Sequence, residues 1–373
     1  MHETIPPPPR RRRTRLRALV GLVAVLVLVL VGQGWTVPYY ALTPGDATPV
    51  APLISVKGLA SDPHHDTIML TDVYLSSLTA WQWLYMHLQS HVEFVPAADL
   101  VDPGVPSSQL VAQGYLEMSD SKQAAEVAAL RALGWHITTT GVGATVTAVV
   151  TGSPAFHHLH VGDRIVSVNG AVITNSCGLV GALHPLAPGS RVRLGVAPVR
   201  ISANGVLHYG RVTSLTLTTK ASHGLAASGC ANLSGPDRSY IGVGYENAVR
   251  ANLPGRISIK TTAIGGPSAG LAMTLALIDR LSKGSLTGHY VVAATGTMSA
   301  NGAVGDVGGV AEKTIAVARA GAEIFFVPRV EVPTASAAAP PGLRVIGVTS
   351  LSQALGDLRR LGGAPPVPLT APR

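Results

Sequence analysis

The chain has 373 residues, 47% of them hydrophobic and only 13% charged, with 41 glycines and 27 prolines. That length allows more than one core, the apolar share excludes a disordered polyelectrolyte, and the glycine and proline content excludes an all-helical bundle. The net charge of +8 is local: residues 1–17 hold six arginines and one glutamate, leaving +3 for the rest, so no nucleic-acid partner is expected.

Arg10 to Arg13, Arg15 and Arg17 make residues 1–17 a basic tail, and no charged side chain follows until Asp46. Residues 18–37 supply about twenty largely apolar positions, the length that crosses a hydrocarbon core of roughly 30 Å as a helix. The arginines predict a cytoplasmic N-terminus, and Trp35, Tyr39 and Tyr40 suit the opposite interface. A cleaved leader is the competing reading, but Gln33-Gly34-Trp35-Thr36-Val37-Pro38 is a poor cleavage site, which favours a single-pass anchor on the lipid bilayer with the later domains extracytoplasmic. Cys177 and Cys230 fit an exported protein as a disulfide, and fit equally as two buried thiols.

Residues 41–135 read as a membrane-proximal α/β segment. Helical spacing over 78–88 puts Leu78, Trp81, Tyr85 and Leu88 on one face, expected to be core, and 121–133 predicts an amphipathic helix stopped by Gly134. From Gly141 the pattern becomes β-rich: strands over 144–150 and 165–168, a tight hairpin at Asn169-Gly170, a helix over 175–183 and a strand over 191–196. The motifs GSPA and VGDRIVSVNG in this order resemble a PDZ domain, spanning 136–200. The resemblance implies a domain that holds a peptide as an added strand, its terminal carboxylate caught by backbone N–H groups. Gly141, Val142, Gly143 and Ala144 are the loop expected to catch it. The histidines at 157, 158 and 160, and His64 with His65, lack the spacing of a zinc site, so neither metal nor cofactor is expected.

Residues 201–239 read as a connecting segment and 240–362 as a third core. Strands are predicted over 256–264, 290–295, 323–327 and 343–348, helices over 268–281 and 310–320, and a last helix opened by Ser350 with Gln353 completing a capping box. Residues 363–373 are expected to be a disordered tail.

The chemistry centres on Gly265-Gly266-Pro267-Ser268-Ala269-Gly270, between a predicted strand and a predicted helix. Glycines admit a close-lying substrate backbone, and a serine at a helix start meets the positive end of the helix dipole, where an oxyanion would be stabilised. The formal G-x-S-x-G pattern of an α/β hydrolase fails, because His289 is the sole downstream histidine and Asp279 lies in the adjacent helix. A chymotrypsin-like serine loop is missing, and so is any G-x4-G-K-[ST] phosphate loop. Lysines remain as candidate bases. After Ser268 only Lys283, in a polar turn, and Lys313, at the start of an apolar helix, occur. A lysine acts as a base once burial brings its pKa toward neutrality.

GGPSAG, TGTMSANG, VGDVGGVAEK and AGAEIFFVP, in that order, resemble the proteolytic domain of Lon-type proteases over about 120 residues. The resemblance implies a catalytic serine at Ser268, its lysine base at Lys313, and Thr295 as a supporting residue beside the lysine, with Gly265 and Gly266 shaping the nucleophile turn. Gly265 departs from ATP-dependent members that carry an acid there. YYALTPG and EMSDSKQAAEVAALRALG extend the likeness to membrane-anchored, PDZ-containing Lon-like proteases of bacteria. The fold class expected is therefore α+β multidomain: a transmembrane helix, a β-rich PDZ domain and a C-terminal Lon-type proteolytic domain. The expected function is an ATP-independent serine endopeptidase of the bacterial cell membrane, acting on peptides, unfolded chains or membrane-protein segments, and the family's rings make a homo-oligomer an open expectation. A catalytically inactive PDZ scaffold and a C-terminal processing protease are the rival readings.

Overall fold

The computed structural model describes residues 10–62, 66–222, 230, 238–261 and 264–371; His64, His65, much of the predicted connecting segment and most of the basic tail's side chains lie outside the described residues. Helix α1 (Arg10–Gly34) contains one stretch, Arg17–Gly34, long and apolar enough to cross a membrane, with a mean hydropathy of 2.1. It stops short of the expected residue 37 because Thr36 opens strand β1 (Thr36–Pro49), where it pairs with Thr79. Strand β2 (Ile68–Thr79) lies antiparallel to β1, and the short helix α2 (Ala80–Met86) follows at once, started by a reciprocal capping box of Thr79 and Gln82. Strand β3 (Glu93–Pro96) covers the other side of β1.

The core expected over 78–88 does not form. Leu78 is buried as a strand residue, but Tyr85 is 61% and Leu88 80% exposed, because the strand ends at Thr79 and the helical turn that follows projects from the body. Helix α3 (Leu110–Ala132) begins well before the predicted 121, since Leu116 and Met118 extend its buried face upstream.

The middle of the chain builds an antiparallel sheet. Its strands are β4 (Thr139–Val149), β5 (Arg164–Val168), β6 (Arg191–Ala197), β7 (Thr213–Thr218) and β8 (Val243–Ala251), ordered β7-β6-β5-β4-β8. Asn169 and Gly170 turn β5 back with positive φ values of 51° and 87°, the geometry a type I′ turn demands. Helix α4 (Ser176–Leu183), capped by Asn175, closes a core of Val146, Ile165, Leu179 and Leu194. Cys177 is joined to Cys230 by a disulfide. The edge strand β8 is drawn from residues beyond the connecting segment, inside the stretch predicted to belong to the third core.

In the C-terminal part follow α5 (Gly270–Leu281), β9 (Val292–Ala294), α6 (Val310–Arg319), β10 (Ile324–Pro328), α7 (Val332–Ala338), β11 (Arg344–Val348) and α8 (Leu351–Arg360). Strands β9, β10 and β11 are mutually parallel, and β9 also pairs with β2, giving one mixed sheet ordered β11-β10-β9-β2-β1-β3. Residues 54–57 pair antiparallel with 256–259 in a separate two-stranded sheet. Residues of the 41–135 segment are thus sheet partners of the C-terminal ones. Successive side chains of β10 face opposite sides: Phe326 enters the core that α3 and α5 share through Leu130, Leu271 and Leu277, while Phe325 meets Val310 and Val317 on the α6 side. Ser350 caps α8 through the Gln353 N–H, and the Gln353 side chain answers to the backbone of Thr349 rather than Ser350.

The expected disordered tail is corrected over its described part. Residues 367–368 pair with 282–283, the Leu369 N–H donates to the Leu281 carbonyl, and the Ala60 N–H donates to the Thr370 hydroxyl, so backbone partners on the body tie it down.

Candidate active site

The Gly265–Gly270 turn is gripped from two sides. From α3, the Gly114 carbonyl accepts from the Gly266 N–H at 2.8 Å, and the Ser121 hydroxyl donates to the Pro267 carbonyl at 2.9 Å. From the end of β9, the Gly296 N–H at 2.8 Å and the Thr295 hydroxyl at 3.2 Å both donate to the Ser268 carbonyl. The Leu271 N–H returns a bond to the Gly296 carbonyl at 3.1 Å. Gly266 holds φ at +86°, a left-handed value open to glycine at no steric cost, and this lets the chain enter the turn. A side chain at Gly270 would run into the Met298 backbone and the Ser121 hydroxyl, so glycine is what lets α5 start this close to its neighbours. Thr295 is fully buried and Ser268 half-buried at the opening of α5, a position where backbone N–H groups point outward and the helix dipole favours negative charge.

Lys313 sits in the first turn of α6, which Gly309 opens in the left-handed region at φ 64°, its backbone pressed against Val73 of β2 and Leu42 of β1. The lysine is 2% exposed. Burial pushes its ammonium down from 10.5 to about 8, with the carboxylates of Asp72 and Glu331 pulling the other way. Neither of those acids is the sequence neighbour Glu312, which is itself buried with one carboxylate oxygen lacking a hydrogen-bond partner among the described residues. Asp72 is half-buried, and desolvation pushes its carboxyl up despite the 2.8 Å bond it accepts from the Asp46 N–H. Asp46 in turn accepts from the Tyr74 hydroxyl at 2.7 Å.

The structure therefore ties Ser268, Thr295 and Gly266 together through hydrogen bonds, with Gly265 packed close to the Gly114 backbone, and buries Lys313 in the first turn of α6. Among the described hydrogen bonds, none joins Lys313 to Ser268. Sequence reasoning missed Ser121 and Gly114, whose hydroxyl and carbonyl act from more than 140 residues away, and Asp72, whose strand position gave no sign that it faces α6.

The peptide loop is a correction. Gly141, Val142, Gly143 and Ala144 lie inside β4, which β8 borders on one side, Gly143 opposite Ala248, and β5 on the other, Ala144 opposite Ile165. Their glycines serve close approach to the carbonyls of Thr174 and Ile165. Of the two edges of this sheet, β7 and β8, it is β8 that runs past α4 and is bound to it where Asn247 accepts from the N–H and hydroxyl of Ser176. Among the described residues no group of three histidine, cysteine or acidic side chains is placed to hold a metal ion.

Two family models match the chain: the PDZ domain over residues 118–197 and the Lon protease (S16) C-terminal proteolytic domain over 256–343. No curated protein matches it. Among solved structures, the PDZ domain of the SdrC-like protein from Listeria monocytogenes is 19% identical, covering 28% of this chain and 87% of that one, at a TM-score of 0.21. The second domain of a listeria protein is 17% identical, covering 29% and 83%, at a TM-score of 0.19. The chain carries a PDZ domain and a Lon-type proteolytic domain, the composition of a serine protease that binds peptide or protein substrates.

Proposed function

We propose that the protein is an ATP-independent, extracytoplasmic serine endopeptidase anchored by α1, with Ser268 as nucleophile and Lys313 as its base. The observation that carries this reading is the combination of a lysine 2% exposed, its pKa lowered to about 8, with a serine turn clamped by Thr295 and Gly296. In the proposed reaction the neutral amine of Lys313 takes the Ser268 hydroxyl proton as the oxygen attacks a substrate carbonyl. The developing oxyanion is stabilised by the positive end of α5, and the proton then passes to the leaving amine as the peptide bond breaks. Water hydrolyses the acyl-enzyme with the lysine again as base, which restores the serine. Holding the Ser268 carbonyl through two donors costs the turn its freedom before the substrate arrives, so less ordering is left for the reaction step.

The PDZ domain recruits substrate as an added strand, and the unpaired edge of β8 beside α4 is where such a strand finds backbone partners. Without a phosphate loop in the sequence to couple unfolding to ATP, flexible or unfolded segments are the substrates. The test is turnover of an unfolded protein by the full chain in vesicles. Activity should be unchanged by added ATP, lost in Ser268→Ala and Lys313→Met, and accompanied by covalent labelling of Ser268 with a serine-directed phosphonate. A wild-type protein that neither cleaves nor labels is a scaffold, and the proposal then fails.

A further inference from the structure

Helix α2 is almost wholly apolar, AWQWLYM, yet none of its residues is buried, and no Asp, Glu, Lys or Arg occurs between Asp72 and Glu93. Leu84, Tyr85 and Leu88 are 50%, 61% and 80% exposed. A contiguous exposed apolar surface of this kind marks an interaction site. Its position relative to α1 says with what. The Ala80 N–H donates to the Trp35 carbonyl, Thr36 pairs with Thr79, and the Trp81 indole N–H donates to the Val29 carbonyl at 3.2 Å. Gly32, the one buried residue among the described residues of the span, is covered by that indole, which a side chain there would strike. Helix α2 is therefore folded back along the last turns of α1. Val29 precedes the helix end at Gly34 by five residues, about 7.5 Å at roughly 1.5 Å per residue. In-plane amphipathic helices bury their apolar face to about 5–10 Å at the headgroup boundary, the same depth.

We infer that α2 is a second membrane contact, lying in the interfacial layer of the outer leaflet of the bilayer that α1 spans, with Leu84, Tyr85 and Leu88 toward the acyl chains. The inference rests on the reading of α1 as a membrane span. It means that the body is seated on the bilayer rather than tethered to it. The strand β1 starts within two residues of the end of α1, and α2 grips the helix from the side, so the orientation of the sheet relative to the lipid is set. Interfacial tryptophan and tyrosine are the side chains that favour this layer.

The test uses the full chain in phosphatidylcholine vesicles, with an environment-sensitive dye on a single introduced thiol at Tyr85→Cys or Leu26→Cys; Cys177 and Cys230 are disulfide-bonded and do not label. Vesicles with and without nitroxide-bearing lipid are compared. The dye at position 85 should shift its emission to the blue of the free dye in buffer and lose intensity to the nitroxide lipid, as the dye at position 26 does. Buffer-like emission at position 85 with quenching at position 26 overturns the inference and leaves the anchor standing. Blue-shifted but unquenched emission there means that a protein surface, such as a second copy of this chain, covers α2, and also overturns it. An unquenched dye at position 26 removes the anchor and the inference with it.

Discussion

Replacing Lys313 by methionine should inactivate the protein and stabilise it at the same time. The ammonium is lowered from 10.5 to about 8 in the folded state, so at pH 7 the folded chain carries a proton on a group that binds it far more weakly than the unfolded chain does. At about 1.4 kcal/mol per tenfold, that difference costs about 3 kcal/mol of folding free energy, net of the attraction from Asp72 and Glu331. A methionine of similar length removes the penalty and fills the same apolar space, which for a domain of this size raises the melting temperature by roughly 6–12 °C. The effect has a pH signature. Between about 8 and 10.5 the folded site releases its proton before the unfolded chain does, so wild-type stability rises through that window, and the advantage of the variant shrinks toward zero. Subtracting paired melts of wild type and Lys313→Met at pH 7, 8, 9 and 10 isolates this one group from the other titrations. A variant less stable than wild type at pH 7, or a difference that does not change with pH, refutes the reasoning, because the lysine would then be stabilised by its neighbours rather than strained by burial. Such a gain in stability on losing function is the expected mark of a site built for chemistry.

If the neutral amine is the base, kcat/KM of the wild type should climb with pH and level off above about 8, and a flat profile from pH 6 to 9 would contradict it. Ser268→Ala should abolish turnover and phosphonate labelling while leaving the melting temperature within a few degrees of wild type, since the side chain is half-buried at a turn. Ser121→Ala leaves the Pro267 carbonyl without its donor, and kcat should fall about tenfold with KM nearly unchanged, equal to the loss of about one hydrogen bond's worth of positioning. Glu246 on β8 is pushed up to about 8, by burial first and then by Asp120 and Glu117 on α3, while Arg164 on β5 acts on Asp120. A carboxyl raised in this way contributes stability that is complete below its ordinary 4.5 and is lost as pH rises through about 8, so melts of Glu246→Gln should show a shallower decline than wild type over that window.

Part of this molecule is determined by residues acting on near neighbours, and that part is legible without coordinates. Asn169-Gly170 makes its hairpin whatever surrounds it, because both residues tolerate positive φ. The apolar run of α1, the start of α6 at Gly309, and the strand–turn–helix around Ser268 depend on spacing over a handful of positions. The choice of Lys313 came instead from the resemblance of GGPSAG and VGDVGGVAEK, taken together, to the Lon-type motifs. What the tertiary structure alone decides is which distant backbone edge each segment meets. The pairing of Ile68 with Val292 joins the strands of residues 36–79 to the C-terminal sheet, and β8 lies along the β4 residues Gly141 to Ala144 that were expected to form a carboxylate-catching loop. The clamp of Ser121 on Pro267, the approach of Asp72 to Lys313 and the outward turn of α2 are of the same kind. An unpaired N–H or a buried charge must be answered, but by whichever group the folded chain delivers, and a one-dimensional pattern carries no record of that delivery.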